Sequence, residues 1–204
     1  MSHYYLNDPN LKEKLMKINY QYQGEQLTFL TDAGVFSRQQ IDFGTHVLLE
    51  TIKERLDNQK NILDVGCGYG VIGLSIAKTH PDLVVTMVDV VTRAVELSQI
   101  NAKQNGIVNV TIMESNLLAN VLNSFDMIIS NPPIRAGKKV VHAIVDQAYH
   151  KLHDGGKLLF VIQKKQGALS LKEKMETVFL NAEIINKKSG YLVLESEKMP
   201  KKTT

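Results

Sequence analysis

The chain has 204 residues, 44% hydrophobic and 22% charged, with a formal net charge of +3, the profile of one globular domain with enough apolar material for a full core. No run approaches the ~18 consecutive apolar residues of a membrane span, and the start Met1-Ser2-His3-Tyr4-Tyr5 lacks the basic-then-apolar build of a signal peptide, so no membrane partner and a cytoplasmic location are expected. The one cysteine, Cys67, excludes an internal disulfide and a cysteine-cluster metal site, while the small basic excess suits a polyanionic partner without requiring one.

The first 56 residues read as a cap. Two hairpin strands are predicted at 19–23 and 26–31 around Gly24-Glu25, followed by a helix whose apolar face carries Val47, Leu48, Leu49, Ile52 and Leu56. From Asn61 onward, short apolar runs at 62–65, 83–88, 110–113, 127–129 and 158–162 alternate with helical segments at 71–78, 93–104 and 139–152. That alternation is the signature of a parallel sheet covered by helices on both faces. Asn105-Gly106 stops the second of these helices, and Gly155-Gly156 ends the unit of the third. Beyond Ile162 the pattern changes to a helix near 169–180 and strands at 182–186 and 191–194. The Ser189-Gly190 turn between those strands is so short that they must be antiparallel. The expected fold is α/β: a mostly parallel seven-stranded sheet with an antiparallel C-terminal hairpin and a short N-terminal hairpin cap. The boundaries are a cap at 1–56, the sheet domain at 57–196, and a disordered tail at 197–204.

The run Ile62-Leu63-Asp64-Val65-Gly66-Cys67-Gly68-Tyr69-Gly70 puts a glycine-rich turn between a strand and a helix, where backbone can approach a ligand closely. Gly68, Gly70 and Gly73 also satisfy a dinucleotide-binding spacing, but Asp64 at the strand end would repel a pyrophosphate. The same carboxylate could hold the ammonium group of S-adenosylmethionine, directly or through water. Asp89, with Val90 behind it, closes the second strand, where an acidic side chain can accept both hydroxyls of a ribose. Asn116 and Leu117 follow the third strand, where an adenine edge would be read. Ser130-Asn131-Pro132-Pro133 follows the fourth. There the Asn131 side-chain carbonyl and the Pro132 carbonyl can accept the two hydrogens of a planar amino group, while the prolines restrain the backbone. A catalytic thiol at Cys67 lacks a basic partner, and His142 and His150 lack ligand-spaced companions, so no metal is expected.

The antiparallel close of the sheet, the glycine loop, Asp89 and Asn131-Pro132-Pro133 together resemble the amino-directed class I, Rossmann-like methyltransferases that use S-adenosylmethionine. Phe36-Ser37 with Asp42-x-Gly44 upstream, and Asn131 through Lys138 downstream, are similar to the catalytic domain of the small-subunit ribosomal RNA guanine-N2 methyltransferases over roughly 29–195. The resemblance implies methyl transfer to guanine N2 of small-subunit rRNA, with the ribosomal RNA or the small ribosomal subunit as partner. It assigns cofactor contacts to Asp64, Gly66, Cys67, Gly68, Gly70, Asp89, Val90, Asn116, Leu117 and Asn131, and catalysis to Asn131 and Pro132. Substrate contacts fall to Phe36, Ser37, Arg38, Pro133, Ile134, Arg135 and Lys138. The family's loop reads Asn-Pro-Pro-Phe-His, where this chain has Ile134 and Arg135. A protein glutamine amide or another nucleobase amine is the alternative substrate, and an inactive RNA- and cofactor-binding assembly module the alternative class. RNA recognition would use the cap, surface lysines or a second copy in a homodimer.

Overall fold

The computed structural model describes residues 15–32, 40–133 and 136–200. Strands β1 (Met16–Tyr22) and β2 (Glu25–Thr31) form a separate hairpin. Its two-residue turn is Gln23-Gly24, with φ of 47° and 85°, the left-handed pair whose twist matches the flanking strands. The turn therefore sits one residue earlier than Gly24-Glu25.

Seven further strands build one sheet: β3 (Asn61–Val65), β4 (Val84–Asp89), β5 (Val110–Glu114), β6 (Phe125–Ser130), β7 (Leu152–Gln163), β8 (Glu183–Lys188) and β9 (Tyr191–Glu197). Their order is β5-β4-β3-β6-β7-β9-β8. β9 is antiparallel to both its neighbours and alone runs against the rest. The expected mostly parallel sheet with an antiparallel C-terminal hairpin is thus present.

Helices α1 (Phe43–Ile52), α2 (Val71–Thr79) and α3 (Thr92–Gln104) cover one face, α4 (Gly137–Lys151) and α5 (Ala168–Phe179) the other. Strand side chains alternate between the two. Met127, Ile129, Leu159 and Val161 meet Leu48 of α1, Leu74 of α2 and Leu97 of α3, whereas Ile128, Leu158 and Phe160 meet Ile144 and Val145 of α4 and Met175 of α5. Each such fully buried side chain contributes about 1.5–3 kcal/mol relative to exposure.

The hairpin joins this body through α3. Asn101 Oδ1 accepts from Leu30 N at 2.7 Å, and its Nδ2 donates to Leu30 O and to Tyr69 O. Asn105 treats Thr28 in the same way, accepting from its N–H and donating to its carbonyl. Two side-chain amides thus stand in for a neighbouring strand along β2.

Two boundaries differ from the sequence reading. Gly155-Gly156 lies inside β7, where pairing with β6 shifts from Phe125↔Leu152 to Met127↔Lys157. The glycines therefore form a bulge within the strand rather than the end of a helical unit. The tail expected to begin at 197 is held further: Glu197 ends β9, Lys198 N donates to Gly156 O, and Gly155 N donates to Lys198 O at 2.7 Å. The remainder, 201–204, lies outside the described residues. Among the described residues no helix is long and apolar enough to cross a membrane, and no group of His, Cys, Asp or Glu is placed to hold a metal.

Candidate functional site

A cleft of about 890 Å³, measured to its open mouth, lies at the carboxyl ends of β3, β4 and β6. Chain connections diverge there, β3 leading toward β4 on one side and β6 toward β7 on the other, which is where open α/β sheets bind ligands. Gly66, Cys67, Gly68, Asp89, Val90, Leu117, Asn131, Pro132 and Pro133, all singled out from sequence, line this one cleft.

The loop after β3 is pinned from below. Gly66 N and Cys67 N donate to Val88 O at 2.8 and 3.0 Å, and Gly68 N donates to Asp89 Oδ2 at 2.8 Å. Gly66 and Gly68 hold φ of +75° and +58°, and a Cβ on either would meet open space. Side chains are absent there because the conformation disfavours them and the space above belongs to the cleft.

Asp89 Oδ1 accepts from Val91 N at 2.9 Å. Burial raises its carboxyl pKa, and the amides of Val91, Gly68 and Val90 oppose that rise. A carboxylate oxygen has more than one acceptor position, so Asp89 retains capacity for hydroxyl donors from the cleft.

Three expected cofactor contacts lie elsewhere. Asp64 is wholly buried and off the cleft wall. Its Oδ2 accepts from Gly73 N at 2.9 Å, capping the first turn of α2 in place of the missing side chain at Gly70, and its Oδ1 has no partner among the described residues. Burial drives its pKa up to about 7. Gly70 is the αL residue before α2; its added Cβ would sit 2.7 Å from Ser98 Oγ and 2.8 Å from Leu74 Cδ1, so it serves packing. Asn116 is exposed outside the cleft, while its neighbours Ser115 and Leu117 line it. Leu117 turns the chain there with φ of 54°. Lys138, assigned to substrate, lines an adjoining cleft.

The most specific geometry surrounds Asn131. Its Nδ2 donates to Asp42 Oδ2 and to Thr45 Oγ1, both at 3.0 Å. A carboxylate only accepts, so the contact with Asp42 fixes which amide atom is nitrogen. Both Nδ2 hydrogens are thereby used, and Oδ1 remains as the amide's acceptor in the cleft. Asp42 is also the N-cap of α1, accepting from Thr45 N. Gly44 permits this close approach, since a Cβ on it would lie 2.7 Å from Tyr191 Cε1 and 2.8 Å from Asp42 Oδ2.

Asp42, Thr45, Ser115 and the buried Ser130, whose Oγ donates to Val65 O, line the cleft without a site role assigned from sequence, although Asp42 and Ser130 stand within the sequence motifs. The sequence signal was an aspartate three residues ahead of a threonine at a helix start. Cys67 is buried, and burial together with Asp89 and Asp64 pushes its thiol well up, which disfavours a nucleophilic thiolate. Phe36, Ser37, Arg38, Ile134 and Arg135 lie outside the described residues.

Comparison with known proteins gives a consistent picture. The uncharacterized protein YbxB of Bacillus subtilis (strain 168) is 46% identical over 97% of this chain and 98% of its own length. The ribosomal RNA small subunit methyltransferase C of Photorhabdus laumondii is 32% identical over 87% of this chain and 52% of its own length. The corresponding Klebsiella pneumoniae enzyme is 37% identical over 69% of the chain and 42% of its length. The chain thus spans about half the length of these methyltransferases. The structure of the T. thermophilus 16S rRNA N2 G1207 methyltransferase, in complex with AdoMet and guanosine, superposes with a TM-score of 0.81 at 27% identity, covering 93% of this chain and 51% of that one. The model of the methyltransferase small domain matches residues 26–195, so the chain belongs to that family of Rossmann-like, S-adenosylmethionine-dependent methyltransferases.

Proposed function

We propose that the chain methylates an exocyclic amine, the N2 of guanine in small-subunit ribosomal RNA. The observation that carries this reading is the locked Asn131 amide, whose Nδ2 is held by Asp42 and Thr45. The nitrogen of an aminopurine is a poor nucleophile because its lone pair is delocalised into the ring. Asn131 Oδ1 and the Pro132 carbonyl, taking its two hydrogens, favour a pyramidal nitrogen and aim the lone pair into the cleft. This is catalysis by orientation. A base reaches such a cleft only when extruded from its stack.

S-adenosylmethionine supplies an electrophilic methyl group on a sulfonium. The residues present fit it: Gly66, Cys67 and Gly68 offer backbone under open space, Asp89 and Val90 would receive the ribose, and Ser115 and Leu117 the adenine. Asp64 would act at one remove, by holding the start of α2. In this reading 1–56 is a cap on a catalytic domain at 57–196, and the substrate contacts are assigned to Pro133, Ile134, Arg135, Lys138, Phe36, Ser37 and Arg38. The T. thermophilus enzyme, named for the N2 of G1207 in 16S rRNA, supports the substrate class.

The test is radiolabelled methyl transfer to unmodified small subunits, naked rRNA and ribosomal proteins, with nucleoside mass spectrometry of the product. N2-methylguanosine is expected. Label confined to a protein amide would overturn the substrate, and cofactor binding without transfer to any acceptor would indicate a binding module instead.

A further inference from the structure

We propose that a second cleft, sharing only Pro132 and Pro133 with the first, holds the phosphate backbone of the RNA whose base enters the Asn131 site; this inference rests on the rRNA reading above. The cleft measures about 850 Å³ to its mouth and is lined by Lys138, His142, Lys165, Gln166 and Ser170. Among the described residues no carboxylate lines it. The nearest acid along α4, Asp146, is committed to Lys174 at 2.6 Å, whereas neither Lys138 nor Lys165 has an ion-pair partner among the described residues.

The cleft lies where α4 and α5 begin. Neither N-cap, Ala136 or Gly167, supplies a side-chain hydrogen bond, which leaves first-turn amides as donors. Lysines beside two helix N-termini repel the helix dipoles, an arrangement that an anion reverses. His142, whose Nε2 meets Ser170 Oγ at 3.3 Å, is held below its usual pKa chiefly by burial, with Lys138 and Lys174 adding to the shift and Asp146 and the Ser170 contact opposing it.

A free phosphate and a phosphodiester share this chemistry. The shared Pro132-Pro133 wall favours the polymer, because a strand that places one base against Asn131 carries its backbone past this wall.

The experiment compares wild type with Lys138→Gln/Lys165→Gln, both exposed positions, and with Lys60→Gln/Lys103→Gln, which removes the same charge from exposed positions just before β3 and in the last turn of α3, at the amino-terminal end of the strands. Filter binding and steady-state methylation are read with small-subunit rRNA across a salt series. The cleft variant should raise KM for RNA roughly tenfold and lower the log–log salt slope by about 1.4, at ~0.7 per phosphate contact on a single strand. Its kcat should stay within about twofold and its S-adenosylmethionine affinity should not change, the split expected of lost ground-state binding. The Lys60→Gln/Lys103→Gln variant should keep the wild-type slope. If wild type methylates RNA but the cleft variant matches wild type, or both variants lose slope equally, the second cleft is not the backbone site. If wild type methylates only a protein amide, the rRNA reading and this one fall together.

Discussion

The Asn131 lock can be dismantled in steps. Asp42→Ala removes the carboxylate that accepts from Asn131 Nδ2 at 3.0 Å and from Thr45 N at 3.3 Å. Thr45→Val removes only the second, neutral acceptor, and Thr45 is 6% exposed, so the isosteric valine keeps the space filled. Asp42→Asn retains one oxygen, which suffices because both donors use the same Oδ2. A charge-assisted hydrogen bond contributes about 1.5–3 kcal/mol and a neutral one about 0.5–1.5. At 1.36 kcal/mol per tenfold in rate, Asp42→Ala should slow single-turnover methyl transfer roughly 10- to 100-fold, Thr45→Val about 2- to 10-fold, and Asp42→Asn least. Asp42→Ala should also destabilise the fold by about 1 kcal/mol through the lost N-cap. S-adenosylmethionine affinity, read by calorimetry, should change little in all three. Rates within twofold of wild type for both Asp42→Ala and Thr45→Val, in folded protein, would refute the claim that these residues orient the reacting amide.

Gly68→Val should abolish S-adenosylmethionine binding in calorimetry, because a branched side chain at φ +58° would occupy the open space over the loop; the strain should destabilise the fold by about 1–3 kcal/mol, and undiminished affinity would displace the cofactor site. Gly44→Ala should lower the Tm, with overpacking against Tyr191 Cε1 at 2.7 Å costing about 1–3 kcal/mol, and a Tm equal to wild type would show that Tyr191 yields freely. Asp64, raised by burial from 3.8 to about 7, binds its proton more tightly folded than unfolded, so its contribution to stability is full below pH 4 and falls as pH rises from about 4 to 7. Asp64→Asn, whose amide oxygen can still accept from Gly73 N, should flatten that decline and raise stability at pH 8 by a few kcal/mol; urea melts of the cofactor-free protein at pH 5 and 8 that decline as steeply as wild type would sink this account.

The sheet was legible because parallel strands buried on both faces read as near-continuous apolar runs, and those runs ended where the chemistry-bearing residues begin. Asn131 and Asp89 were legible for the same reason, as polar residues at the carboxyl ends of such strands. What holds Asn131 was not, because Asp42 and Thr45 lie 89 and 86 residues away and only the fold brings α1 to the end of β6. Asn116 stands exposed beside the cleft that its neighbours Ser115 and Leu117 line, and the left-handed φ at Leu117 had no sequence signal, since leucine gives no warning of one. Asp64 is the instructive case, since its true place could have been read from the strand itself. Leu63 and Val65 belong to the face packed on α4 and α5, and Ile62 to the face of α1 to α3. Alternation then puts Asp64 with Ile62, beneath α2 rather than at the strand mouth. A carboxylate there meets the free amides at the start of that helix, which is why it is buried, bonded to Gly73 N, and still short of one donor. Position at a strand end marks a residue as near the site; the parity of its strand position decides whether it faces the ligand or braces the loop that does.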